Sequence, residues 1–120
     1  MSIDLMLYKQ ICRKLENDIL AGKLPPGCCI PSIRELAAQY PVNPNTVQRA
    51  IRELKQTGLL VSSRGRGMLV IDDADYIYEC KQKRGKELVC RVIREMEMLG
   101  YSKEQVTTMV TTKICDDGQT

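Results

Sequence analysis

At 120 residues, 43% hydrophobic and 28% charged, the sequence has room for one ordinary domain, or a small domain with an appendage, and its composition is not that of a disordered chain. It contains no histidine, which removes the usual base for a serine or cysteine nucleophile and argues against an enzyme. The net charge of +3 is unevenly spread: residues 1–71 carry ten Lys and Arg against five Asp and Glu, residues 72–120 eight against ten. Attraction for a polyanion is therefore concentrated in the first part.

From the N-terminus, Met1-Ser2-Ile3-Asp4 lacks the basic-then-apolar layout of a signal peptide, and no apolar run approaches membrane-spanning length. The expected location is the cytoplasm, with no membrane partner. The six cysteines, at 12, 28, 29, 80, 90 and 115, contain no Cys-x-x-Cys pair, so neither a zinc site nor any other cofactor is expected. Cys12, Cys90 and Cys115 fit helix faces as small hydrophobes. The adjacent Cys28-Cys29, beside a turn, is the one pair with a case for redox sensing.

Two helix patterns follow closely on each other. Pro31-Ser32-Ile33-Arg34-Glu35 opens the first, with Ser32 and Glu35 spaced as a reciprocal capping box. Leu36, Ala37 and Tyr40 give it a short apolar face, and Pro41 is expected to stop it. The second begins at Asn43, an N-cap amide, with Pro44 just inside. Val47, Ala50, Ile51 and Leu54 fall at i, i+3, i+4 and i+7, a single stripe. Asn45, Thr46, Gln48, Arg49, Arg52 and Lys55 are left on the exposed side. Such donors, acceptors and cations suit a helix lying in a major groove, although an ordinary solvated face would read the same way.

Gly58 is placed to cap that helix, and Leu59-Leu60-Val61 and Met68-Leu69-Val70-Ile71 read as two short strands. The turn between them holds Arg64-Gly65-Arg66-Gly67. Arginines on a flexible turn fit a narrow minor groove or adjacent phosphates; basic hairpin tips are also common for solubility alone. A helix-turn-helix followed at once by such a hairpin is the winged-helix arrangement, more specific than either half. Segment 43–67 holds Arg49, Arg52, Lys55, Arg64 and Arg66 against Glu53 alone.

These residues resemble the GntR family of bacterial transcription regulators. The run that carries the resemblance is Tyr8-Lys9-Gln10-Ile11, Ile19 to Gly27, Pro31 to Ala37, Val42 to Ala50 and Gly65 to Val70. Asn43-Pro44-Asn45-Thr46-Val47-Gln48 is most similar to the short-chain YtrA-like subfamily. The resemblance implies that Arg34 holds a phosphate, that the start of the second helix reads bases, and that the Arg64-Gly65-Arg66 turn enters the minor groove. Ser32, Asn43, Asn45, Thr46, Gln48, Arg49 and Arg52 complete the expected DNA-contacting set. Where many relatives carry arginine this chain has Pro44 and Gln48, and a carboxamide at 48 suits adenine N6 and N7.

Asp72, Asp73 and Asp75 stand where the wing ends and a helix begins, and acids favour a helix N-terminus. Ala74 to Leu99 reads as one long helix with a weak point at Gly85. Leu88, Val92, Met96 and Leu99 form its stripe, flanked by Val89 and Ile93. Gly100 closes it, and Ser102 with Gln105 caps another helix carrying Val106, Met109, Val110 and Ile114 on one face. Two such helices cannot bury both faces alone, so they pack back on the first domain or on a second copy. The resemblance favours a dimer arm, too short for an effector domain that would name an inducer.

The expected fold is mainly α with a small β-hairpin: a winged helix-turn-helix at 1–71 followed by a two-helix C-terminal dimerisation tail at 72–120. The expected function is operator binding on double-stranded DNA as a homodimer, with repression implied by the resemblance and the effector unknown. The competing reading is a winged helix that docks protein.

Overall fold

The computed structural model describes the backbone of residues 3–40 and 42–118, and the side chains of these residues apart from Asp4 and residues 115–118. Among the described residues the elements run α1 (Ile3–Leu20), α2 (Ile33–Gln39), α3 (Pro44–Thr57), β1 (Leu60–Ser63), β2 (Gly67–Val70), α4 (Ala74–Met98) and α5 (Lys103–Gly118). They divide into two compact units, residues 1–81 and 82–120.

The first unit is organised by α1, an element the sequence reading met only through family resemblance. Tyr8, Ile11, Leu15 and Ile19 form a stripe at helical spacing, and all four are buried. Leu36 of α2, the Val47-Ala50-Ile51-Leu54 stripe of α3, and Leu59, Leu60 and Val70 around the hairpin close the core with them. Ile77 joins the same core from the second turn of α4. That contact places the start of α4 with the first unit, so the division falls at Lys81/Gln82, later than the expected 71/72.

Capping fixes the short helices. The Ser32 hydroxyl accepts from the Glu35 N–H at 3.1 Å, but the expected return bond from the Glu35 carboxylate is not formed. Tyr40 is the C-cap of α2, its N–H donating to the Leu36 carbonyl at 3.0 Å; the role expected of Pro41 lies outside the described residues. Asn43 caps α3, accepting from the Asn45 N–H at 2.9 Å, and Pro44 starts the helix. Gly58 ends it at φ 88°, a left-handed conformation that glycine adopts without steric cost.

The hairpin pairs Leu60 with Val70 and Ser63 with Gly67, so its strands reach further into the turn than expected. Leu59 lies outside β1 yet stays tied, its carbonyl accepting from the Ile71 N–H at 2.9 Å. The free edge of β2 is covered by Gly27 to Ile30. The Val70 N–H donates to the Cys28 carbonyl at 2.8 Å, and the Gly27 and Ile30 N–H groups donate to Val70 and Met68 at 3.0 Å. Asp73 caps α4 through the Tyr76 N–H at 3.0 Å, so the acidic run serves a helix start.

α4 continues through Gly85 without interruption. In the second unit, Gly100 turns the chain and Ser102 and Gln105 form the reciprocal box, at 3.1 Å and 2.8 Å. Val106 is buried there, whereas Leu88, Val89, Val92, Leu99, Met109, Val110 and Ile114 are exposed. The i,i+4 ion pairs Lys14–Asp18, its carboxylate half-buried, and Arg91–Glu95, exposed on both sides, contribute little to stability.

Candidate nucleic-acid interface

α3 turns its apolar stripe wholly inward: Val47, Ala50, Ile51 and Leu54 are each 5% exposed or less. The opposite face carries exposed Asn45, Gln48, Arg49, Arg52 and Lys55, with Thr46 half-buried at the start. Asn43 is exposed but spends its side-chain oxygen on the cap, as Ser32 does on α2, so only the remaining polar capacity of either is available outward. Arg34 projects from α2, exposed.

The wing turn spans Arg64 to Arg66, closed by the Arg66 N–H donating to the Ser63 carbonyl at 3.3 Å. Gly65 sits at φ 77°, a position that would strain any side chain, and no atom lies within 4 Å of where its Cβ would be. Both arginines are exposed on either side of it. Cys29, also exposed, directs its thiol at the Arg66 carbonyl, 3.5 Å away. The structure therefore gathers Asn45, Gln48, Arg49 and Arg52 on one exposed helix surface and sets Arg64 and Arg66 on a preformed turn.

One cluster escaped the sequence reading. Glu53, the single acid of segment 43–67, accepts hydrogen bonds from the Tyr8 hydroxyl and, at 3.1 Å, from the Cys12 thiol, both on α1. The Arg49 guanidinium lies over the Tyr8 ring, 4.4 Å from its centre. The hydrogen bonds from Tyr8 and Cys12, together with the charges of Arg49 and Lys9, hold the Glu53 carboxyl below its ordinary pKa despite some burial. Its carboxylate in turn raises Tyr8, with burial adding to the effect. Burial first, then the bond to Glu53, pushes the Cys12 thiol up to about 12. The i,i+4 spacing of Tyr8/Cys12 and of Arg49/Glu53 was legible; their meeting across more than forty residues was not.

Residues 7–70 match the model of the bacterial regulatory proteins of the gntR family. The chain belongs to the GntR family. Its GntR relatives include the HTH-type transcriptional repressor YtrA of Bacillus subtilis (strain 168), 34% identical over 101 residues, which cover 83% of this chain and 78% of that one. A GntR family transcriptional regulator from Listeria monocytogenes superposes with a TM-score of 0.82 at 35% identity, over 88% of this chain and 93% of its own. The DNA-binding domain of AraR, solved with its operator ORR3, is 36% identical, with a TM-score of 0.50 over 52% of this chain and 76% of that one. As a GntR protein the chain is a DNA-binding transcription regulator with a winged helix-turn-helix, and not an enzyme.

No helix of the described residues is long and apolar enough to cross a membrane, and they contain no group of three or more potential metal ligands.

Proposed function

We propose that this GntR regulator represses transcription by binding a palindromic operator as a homodimer in the cytoplasm. Segment 43–57 lies in the major groove, and the turn at 63–67 enters the adjacent minor groove. The observation that carries this reading is the division of α3 into a fully buried stripe and an exposed face bearing Asn45, Gln48, Arg49, Arg52 and Lys55. Base edges are read by side chains of this kind, while Arg34, Ser32 and the wing position the protein on phosphates. The operator complex of AraR supports operator binding, and the repressor YtrA supports the direction of the effect.

The reading head is residues 1–71, braced by the start of α4 through Ile77, and the remainder of the tail to 120 joins two copies. Leu88, Val92, Leu99, Val110 and Ile114 are apolar and exposed in the single chain, Met96 is half-buried beside them, and Val106, already covered, braces the surface from within. A second copy, related by the two-fold symmetry that a palindrome requires, is the occupant proposed for that face.

The test is selection of duplexes from a randomised library by the full chain, followed by affinities over a salt series. Gln48→Ala should flatten preference at particular positions of the selected motif, and Arg34→Ala should weaken all duplexes alike. Replacing Arg64 and Arg66 together by alanine should lower the slope of log K against log salt by about two, at ~0.9 per phosphate contact. A selected motif without two-fold symmetry, or affinity that ignores salt, rules the reading out.

A further inference from the structure

Arg49 stands on the exposed face of α3 yet is not a loose side chain. Its guanidinium rests on the ring of Tyr8, which is only 8% exposed and is therefore a fixed platform. The ring is itself tied by its hydroxyl to Glu53, one helical turn after Arg49 on α3. An arginine normally surrenders much rotamer freedom when it engages a partner, and a guanidinium already held over an aromatic face surrenders less. Glu53 poses the complementary puzzle. A carboxylate on a helix that meets phosphates opposes binding, and this one is the single acid of the segment. Its charge is occupied by Tyr8 and Cys12 on α1, and the cysteine acts as a protonated donor in that bond, its thiol pushed up to about 12.

We propose that Tyr8 and Glu53 are positioning residues for DNA recognition, holding the Arg49 guanidinium in one pose on α3. The Tyr8 ring supplies the surface, and the Glu53 charge keeps the cation from swinging toward indiscriminate phosphate contacts. Arg49 thereby contributes to discrimination between sequences as well as to affinity. This rests on the reading of α3 as the DNA-contacting helix.

The experiment uses the full chain and two probes, the duplex recovered by selection and a scrambled duplex of the same composition. Tyr8→Leu should weaken binding to the selected duplex about two- to fivefold, in keeping with an exposed cation–π contact. Tyr8→Phe, which keeps the ring, should restore it. In an Arg49→Ala background Tyr8→Leu should have no further effect. Glu53→Gln should strengthen binding to the scrambled duplex without strengthening the selected one, so the ratio of the two affinities falls.

The proposal is overturned if Tyr8→Leu weakens binding equally in the Arg49→Ala background, or if Glu53→Gln strengthens both duplexes alike. Should Tyr8→Leu fail to fold, the exposed Glu53→Gln change decides the matter through the same ratio. A wild-type protein that enriches no duplex defeats the reading of α3 and this inference with it. One that enriches a motif unaffected by Arg49→Ala defeats this inference alone.

Discussion

Two glycine-to-alanine changes in this chain should move stability in opposite directions, for reasons visible in the backbone. Gly58 adopts φ 88°, and a Cβ there would lie 3.1 Å from the Tyr76 hydroxyl, which donates to the carbonyl of Thr57 at the end of α3. Left-handed geometry costs an L-residue about 1–2 kcal/mol. Displacing the tyrosine weakens a hydrogen bond of net worth ~1 kcal/mol. Part of this is offset by the stiffer unfolded chain, ~0.4–1 kcal/mol, so Gly58→Ala should destabilise by about 1–2 kcal/mol. For a unit of this size each kcal/mol moves Tm by roughly 4–8 °C. Gly85 has no atom within 4 Å of its Cβ position and sits inside α4, so Gly85→Ala should stabilise that helix by about 0.5–1 kcal/mol. Helical circular dichroism during thermal and urea unfolding, at matched protein concentration, measures both. Shifts of the same sign, or a Gly58→Ala protein as stable as wild type, would refute the capping argument.

Thiol reactivity should follow environment: at pH 8 an alkylating reagent should label exposed Cys29 early, and Cys12, with its thiol pushed up to about 12, roughly 10³-fold more slowly than an ordinary cysteine. Peptide mapping over time reads this, and early labelling of Cys12 in folded protein would contradict its bond to Glu53. The Glu53 carboxyl is held below its ordinary 4.5, so its stabilising contribution is present above that pH and is lost as pH falls through the depressed value. Glu53→Gln should therefore flatten the acid limb of a stability–pH curve, and an unchanged limb would count against the cluster. Val92 and Val110 are exposed in one chain, so glutamate at both should cost the single chain little while leaving it monomeric in sedimentation at micromolar concentration. A variant that sediments like wild type removes the tail face from the dimer.

Local chemistry made much of this fold legible. Asn43-Pro44 and Gly58 bound α3 because a capping amide, a proline at the first turn and a left-handed glycine each act within a few residues. Ser102 and Gln105 did the same for α5. What stayed hidden was tertiary. α1 has its four core positions in plain order, but Ser2 is followed three residues later by Leu5 rather than the acid or amide of a capping box, and its stripe carries no functional motif. The strands lie one or two residues from the apolar runs because Leu59 and Ile71 are apolar like strand residues, while Ser62, Ser63 and Gly67 are not. Covering of β2 by Gly27 to Ile30 depends on a chain reversal that no periodicity encodes. At the candidate interface the exposed side of α3 followed from its stripe, but Glu53 read as a lone acid because its partners lie on another helix.

Because β2 is bonded on both edges, the wing is rooted on each side of its second strand and free only at its tip. Amide hydrogens of Val70 and Ile30 should exchange slowly, in step with the core, while those of Arg64 and Gly65 exchange almost as fast as in a peptide. A target meeting this hairpin would have to immobilise three residues rather than a whole loop. The arginines can then re-aim to follow a groove of changing width while the stem, and the spacing between wing and helix, stays as it was.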